Sequence, residues 1–349
     1  MQNRQALRLF HGGMVVLWAL TFAMNANSQA YPQKPITFFV PYPAGNAADA
    51  IARQMLPVMR RKLGQPLIVE NVSGASGGIG IQRALAEPSD GYAVVLGSPT
   101  DLVLAPIAHP ALAYRAEQFR LIGVAIDATF ALVGRRQDSA TSIDELLAAA
   151  RRPGARELSY GTFGEGSLPH LIGKDFAARL GLRMLHVPYR GTPQVLQDLI
   201  GGQIDLAFVP LAGPLLENVS SGRLVAYAVT SAQRHPALPA VPTASETAGL
   251  VGFQYNSWLG LFVRSEVPEP TVVRLHNALQ ATLLDAQFRH GIEAGGTRVA
   301  APVTLYAAQQ YFVEATATHR GLAERLGVQQ RAAAASEPRA SDALPSGRR

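Results

Sequence analysis

The chain contains no cysteine. Disulfides are therefore impossible, thiolate metal sites are excluded, and a lipid-bearing N-terminal Cys cannot exist. Charge is scarce too. Only 16% of the residues are Asp, Glu, Lys or Arg, against 48% apolar, a balance that describes a folded globular protein. At 349 residues it can bury one large core or two medium ones. A Lys/Arg run with interleaved aromatics is also missing. The formal charge of +6 owes two units to Arg4 and Arg8, and two more to residues 329–349, where four Arg face Glu337 and Asp342. Only +2 is left for residues 31–328, so nucleic acid is not an expected partner. No stretch reaches 18 uninterrupted apolar residues, the length of a membrane span. His109, His170, His186, His235, His276 and His319 show no paired ligand spacing such as H-E-x-x-H, and no metal or cofactor is expected.

What is present begins with a processing signal. Arg4, Arg8 and His11 form a basic region, Met14 to Met24 an apolar one, and Ser28-Gln29-Ala30 supplies the small residues of a cleavage site. Residues 1–30 are therefore expected to be a cleaved signal peptide, and the mature chain to be exported. Residues 329–349, rich in Ala, Ser, Pro and Arg, are expected to be a disordered tail.

The stretch from Ile36 to Arg53 organises the rest. Ile36–Val40 is an aromatic and β-branched run that predicts a buried strand. Pro41, Pro43 and Gly45 then force a loop, and Ile51, Met55, Met59 and Leu63 recur with helical period. A strand feeding such a loop into a helix points backbone N–H groups and a positive dipole end at whatever sits there, a natural anion site. The loop carries no Lys, Arg or His, so an anion would be held by backbone and hydroxyl dipoles. Pro57 inside the helix predicts a kink or an early end near Arg53.

Further strands are expected at Leu67–Asn71, Tyr92–Leu96, Leu121–Ala125 and Phe130–Val133, and a capping box at Ser142–Glu145 opens a helix. The pattern restarts at Leu158–Tyr160, a strand leading through Gly161–Ser167 into a helix from Leu168, with Pro169 tolerated in its first turn. Strands at Met184–Val187, Ile204–Val209, Val225–Thr230 and Trp258–Val263 follow, with helices at Pro193–Ile200, Val272–Leu284 and Val303–Leu326. Strands alternating with helices argue for parallel α/β sheets. Two strand–loop–helix units, at 40–49 and 160–170, predict two lobes whose loops face each other at the carboxyl ends of strands.

A series of motifs carries a resemblance. It runs through Tyr31-Pro-Gln-Lys-Pro35, Val40-Pro-Tyr-Pro-Ala-Gly45 with Asp49, Leu63-Gly-Gln-Pro66, Val69-Glu-Asn71, Asp90-Gly-Tyr92 and Tyr160-Gly161. It continues through Gly164-Glu-Gly-Ser167 with His170, His186-Val-Pro-Tyr-Arg-Gly191, Gly201-Gly-Gln203, Ala228-Val-Thr230 and Pro239-Ala-Val-Pro-Thr243. In this order, over residues 31–327, the chain resembles the Bug (Bordetella uptake gene) periplasmic receptors of tripartite tricarboxylate transporters. The resemblance implies a type II periplasmic-binding-protein fold with two α/β lobes around an interlobe cleft, joined by two crossing strands. Lobe 1 would comprise 31–131 plus 257–328, and lobe 2 residues 132–256. It further implies a monomeric, periplasmic, non-enzymatic receptor that binds a small organic carboxylate and delivers it to a membrane permease. Carried over by position, ligand contacts would come from Tyr42, Gly45, Asn46, Ala47, Ala48, Ser98 and Thr100 in the first lobe. Thr162, Gly164, Gly166 and Ser167 would supply the second, with Arg190 and Asp205 more distant. The chain departs from the family's Pro-Gly-Gly-x-Thr/Ser-Asp loop at Ala44, Asn46 and Ala48, and at Val209, where the family commonly places Asp. Glu165, if it faced the cleft, would repel an anion.

Other signals compete. Asp49 is expected to cap the first helix and brace its loop rather than touch an anion. Gly74-Ala-Ser-Gly-Gly78 fits the G-x-S-x-G expression of a nucleophile elbow, so a serine hydrolase using Ser76 is the alternative. A stand-alone sensor with the same cleft is a third reading.

Overall fold

The computed structural model describes residues 31–136 and 140–328. The signal peptide expected over 1–30 and the tail expected from 329 lie outside the described residues. The architecture below is that of the unit from Lys34 onward.

The aromatic and β-branched run becomes strand β1 (Ile36–Val40), buried at four of five positions. Helix α1 (Ala47–Leu63) follows, with Asn46 as N-cap and Gly64 closing it in the left-handed conformation at φ 72°. The early end expected near Arg53 does not occur. Pro57 lies on the exposed side of α1, where water can replace the amide that proline lacks. Met55, Leu56, Val58 and Met59 are buried around it and hold the helix against the core.

Strand β2 (Leu67–Asn71), helix α2 (Gly78–Leu85) and the fully buried strand β3 (Ala93–Gly97) complete the first layer. A π-helical turn over Thr100–Leu104 runs into the short helix α3 (Ala105–Ala108). The two strands expected at Leu121–Ala125 and Phe130–Val133 are a single strand of 17 residues, β4 (Phe119–Arg135). The residues between them, Ile126–Thr129, include no Gly or Pro and stay extended against a neighbouring strand. Register slips after Leu121 and Val124 accommodate the twist of so long a strand.

Beyond β4 come α4 (Ile143–Ala150), β5 (Leu158–Thr162), α5 (Leu168–Leu180), β6 (Met184–Pro188), α6 (Thr192–Ile200), β7 (Leu206–Pro210), α7 (Gly213–Ser220) and β8 (Leu224–Val229). The chain returns through β9 (Asn256–Arg264), α8 (Glu269–Leu283), α9 (Ala286–Ala294), β10 (Arg298–Val299) and α10 (Leu305–Arg325). Helices α3, α7 and α9 and strand β10 are additions to the sequence expectation. They are short, and α9 opens directly behind α8 with only Leu284 and the Asp285 cap between them. In the capping box, Ser142 accepts from the Glu145 N–H, but Glu145 reaches back to Thr141 instead of Ser142.

The sheets are mixed rather than parallel. β1 pairs in parallel with β2 and β3, and β5 with β6 and β7. Every pairing of β4 is antiparallel, with β9 along its first half and with β7 and β8 along its second. The strand order is β2-β1-β3-β9-β4-β7-β5-β6, so β4 is common to both halves. One core gathers Phe39, Ile81, Trp258, Phe262 and Phe312 on the β1–β3 side. Another gathers Phe176, Phe208, Phe253, Leu132 and Val195 on the β5–β7 side. Each buried aromatic contributes about 1.5–3 kcal/mol of transfer free energy, enough for each half to hold its own loops in place.

Replacing Pro57 by Ala should restore a backbone bond in α1 without disturbing packing. Urea unfolding is expected to show a gain of about 1–2 kcal/mol, part of proline's helix-interior cost being offset by its effect on the unfolded chain. A loss of stability would show that α1 depends on the proline.

Candidate ligand-binding cleft

Between the two halves lies a partly open cavity of about 50 Å³. The β1–α1 loop and first turn supply Tyr42, Asn46, Ala47 and Ala48, with Ile51 behind them. The end of β3 supplies Ser98 and Thr100, the middle of β4 Ile126, Ala128 and Phe130, and the β5–α5 loop Phe163. Ser257, Trp258 and Leu259 of β9, Pro210, Ala212 and Thr297 complete the wall. None of these residues is Asp, Glu, Lys, Arg or His.

Six of the residues expected from sequence thus line the cavity: Tyr42, Asn46, Ala47, Ala48, Ser98 and Thr100. Gly45 lines an adjoining chamber of about 300 Å³ against α6 and α7. Thr162, Gly164, Gly166 and Ser167 build the loop that carries Phe163 but do not themselves line the cavity. Their polar groups are engaged by the loop itself and by β6, where Ser167 Oγ donates to the Gly164 carbonyl at 2.7 Å and Thr162 Oγ1 sits 2.6 Å from His186 Nε2. Arg190 is exposed and stands outside the cavity. Asp205 is elsewhere, bracing β5 against β7 through Ser159 N at 2.8 Å and Ser159 Oγ at 2.9 Å while pairing with Arg156. Glu165 is exposed and does not face the cavity. Trp258 and the β4 residues carried no local signal, because only strand pairing brings them beside the β1 loop, whereas Phe163 belongs to the second loop already expected to face the first.

The first loop is less open than its sequence suggests. Gly45 N–H donates to Asp49 at 3.0 Å, Asn46 N–H to the Pro43 carbonyl at 3.1 Å, and Ala48 N–H to Asn46 Oδ1 at 2.9 Å. Asn46, not Asp49, caps the helix; Asp49 braces the loop. Burial raises the Asp49 pKa, but hydrogen bonds from Arg53 and from the Gly45 amide outweigh it and hold the carboxyl below its ordinary value.

Behind Tyr42 and Ser98 sits Asp101, fully buried. Its carboxyl accepts from Tyr42 OH at 2.7 Å, Ser98 Oγ at 2.8 Å and Ser98 N–H at 2.9 Å. Desolvation prevails over these bonds and pushes its pKa up to about 7. Burial, followed by the Asp101 charge, raises the Tyr42 pKa well above its ordinary value. In the second half, His170 stacks on His186 with centroids 4.1 Å apart, and its Nδ1 accepts from Gly166 N–H at 3.0 Å. Burial and the neighbouring His186 depress the His170 pKa to about 3, so it is a neutral brace for the loop.

Contacts across the cleft hold the halves together. Asn46 Nδ2 donates to Thr192 Oγ1 at 3.3 Å, and Leu168 N–H donates to Thr100 Oγ1 at 3.3 Å. Ser76 Oγ donates to the Glu165 carbonyl at 2.7 Å, and His109 Nε2 lies 3.0 Å from the same oxygen. A carbonyl only accepts, so Nε2 carries its proton there and cannot take one from Ser76, 3.5 Å away. The left-handed backbone of Ser76, at φ 54°, aims the hydroxyl across the cleft, not at a substrate.

The chain matches the family described as tripartite tricarboxylate transporter family receptor over residues 51–327. It belongs to that family. The receptor is 35% identical over 295 residues to the UPF0065 protein in the tcbD-tcbE intergenic region of Pseudomonas sp. (strain P51), a match covering 80% of this chain and 86% of that protein. Among solved structures, the periplasmic binding protein BugD aligns with a TM-score of 0.79 at 31% identity, covering 86% of this chain and 99% of that one. MatC from Rhodopseudomonas palustris, solved with bound malate, aligns at 0.77 and 28% identity, covering 84% and 99%. The receptor has the type II periplasmic-binding-protein fold, two α/β lobes around an interlobe cleft. It is a substrate-binding receptor and not an enzyme, which removes the hydrolase alternative at Ser76. Among the described residues, no helix is long and apolar enough to cross a membrane.

Asp101 makes stability depend on pH with a defined sign. Its folded pKa of about 7 lies above the ordinary 3.8, so the folded state retains a proton that the unfolded chain releases. Stability should fall as pH rises from about 4 to about 7, by on the order of a few kcal/mol, and then level off. Melting temperatures taken from pH 5 to 8 are expected to decline more steeply for the native chain than for Asp101→Asn. Equal slopes would mean that Asp101 is ionised throughout.

Proposed function

We propose that the receptor captures a small organic carboxylate between its lobes in the periplasm and presents the closed complex to the membrane permease of a tripartite tricarboxylate-type transporter. Lobe 1 comprises 31–131 plus 257–328 and lobe 2 residues 132–256. The chain is exported by cleavage of residues 1–30 and works as a monomer. The observation that carries this reading is an uncharged cavity lined by hydroxyl side chains and the Asn46 amide, with contacts from both lobes across it. The malate in MatC supports a carboxylate as the class of ligand.

Few donors are left for that carboxylate. Tyr42 OH and Ser98 Oγ give their protons to Asp101, whereas Thr100 Oγ1 accepts from Leu168 and keeps its own proton to give. Asn46 spends one amide hydrogen on Thr192 and retains the other. Ser257 and Thr297 add hydroxyls to the wall. With the cavity this small, the ligand fills the space that closure creates, and its binding energy stabilises the closed population over the open one.

A thermal-shift screen against mono-, di- and tricarboxylates, aromatic acids and amino acids tests the reading. Ligand at a hundred times its Kd adds about 2.7 kcal/mol, a midpoint shift of a few degrees. Thr100→Val should weaken the hit roughly 10- to 100-fold, as expected for one hydrogen bond to a charged group. An absence of any shift across the panel would overturn the proposal.

Closure itself is open to test at Gly166. A Cβ there would overlap the Ala108 side chain across the cleft, at a backbone φ of +74°. Gly166→Ala is expected to weaken ligand binding at least 10-fold by calorimetry while leaving each lobe folded. Unchanged affinity would show that binding does not require this closed geometry.

A further inference from the structure

Tyr42 and Ser98 line the cavity, yet each hydroxyl turns its one proton towards Asp101 Oδ2, at 2.7 and 2.8 Å. The other oxygen, Oδ1, accepts from the Ser98 N–H at 2.9 Å and braces the turn. A hydroxyl that donates to an ionised Asp101 has only lone pairs left, so an anion in the cavity meets acceptors there. Given the carboxylate reading above, we infer that the receptor takes up one proton with its ligand. Asp101 is a positioning residue whose neutral form turns a cavity hydroxyl towards the bound carboxylate. The contacts for this are in place. A proton on Oδ2 donates to Ser98 Oγ, and Ser98 Oγ, 3.0 Å from Tyr42 OH, donates in turn to that oxygen. The Tyr42 O–H is then left to donate to the ligand.

The surroundings of Asp101 favour that neutral form. Among the described residues, the bonds to its carboxyl come from hydroxyl and amide donors alone. Tyr114, from the segment after α3, donates to its backbone carbonyl. Gly77 and Gly97 close in from two other sides, where a Cβ would fall 2.7 Å from Asp101 atoms. The charged groups of the helices packed on this turn are engaged elsewhere. Arg83 of α2 pairs with Glu87, and His109, just past α3, bonds to the Glu165 carbonyl. On α10, Arg320 pairs with Glu117, and His319 bonds to the Ala315 carbonyl while burial holds it below its ordinary pKa. Desolvation raises the Asp101 pKa to about 7, and an anion placed in the cavity raises it further. Above that pH the complex therefore binds more protons than the free receptor, and affinity falls as pH rises.

Calorimetric titration of the full-length chain with malate, adipate and benzoate tests the inference. Each acid stays ionised from about pH 6.5 to 9, the range to be covered, in buffers of differing ionisation enthalpy. For an acid that binds, the native chain should keep a constant Kd to about pH 7 and weaken by about tenfold per unit above it. Proton uptake should approach one per ligand at the alkaline end, a quantity read on the native chain without any variant. Asp101→Asn, whose amide keeps an N–H where the acid had its O–H, should bind with the same Kd at every pH and take up no proton. A flat profile for the native chain, or the same slope in Asp101→Asn, would overturn the inference while leaving a carboxylate receptor in place. If none of the three acids binds at any pH, the carboxylate reading fails together with the inference, an outcome distinct from a flat profile.

Discussion

One extended strand governs this molecule. Phe119–Arg135 runs unbroken through both halves, paired with β9 along its first part and with β7 and β8 along its second. A strand shared in this way cannot shift register in one lobe without disturbing the other, because a slip of one residue would turn its buried face outward. The point where its partners change, around Ala128 to Phe130, is also where it lines the cavity. The joint between the lobes and the floor of the cleft are therefore one piece of backbone.

Around that joint, each loop is held mainly by its own lobe. Asn46 and Asp49 satisfy the β1–α1 loop, and Asp101 gathers Tyr42 and Ser98. In lobe 2, Ser167 ties its hydroxyl to the Gly164 carbonyl while His170 takes the Gly166 amide. Loops satisfied from within keep their shape when the lobes part, so only a handful of hydrogen bonds must be made and broken on closure. Asn46–Thr192, Leu168–Thr100 and Ser76–Glu165 are bonds of that kind. The same economy leaves few side-chain donors for a ligand.

Much of the fold was readable from local patterns. Ile36–Val40, Leu67–Asn71 and Leu158–Tyr160 were bounded by Gly and Pro and formed strands where expected, and six residues around the first loop line the cavity. The errors share a cause. Pro57 was read by its intrinsic cost, but it sits on the exposed side of a helix anchored by Met55 and Met59. The two halves of β4 were separated by the mixed polarity of Ile126–Thr129, where a strand at a lobe junction is neither wholly buried nor alternating. The Thr162 and Ser167 hydroxyls had the right composition for ligand contacts, and their partners, His186 of β6 and the Gly164 carbonyl, could not be seen without coordinates.

By itself the sequence determined the α/β class, the order of the strand–loop–helix units, the absence of disulfides and the place of the first loop in the cleft wall. These depend on periodicity, turn chemistry and residue inventory, all of which are local. Only the tertiary structure decided the mixed strand order and the merging of two runs into β4, and it brought Trp258, Phe163 and Phe130 to one wall. It also placed Asp205 and Arg190 outside the cavity and turned Ser76 into a clasp across the cleft. Those outcomes rest on pairings between residues more than a hundred positions apart in some cases, such as Thr129 with Asn256, and no local pattern encodes them.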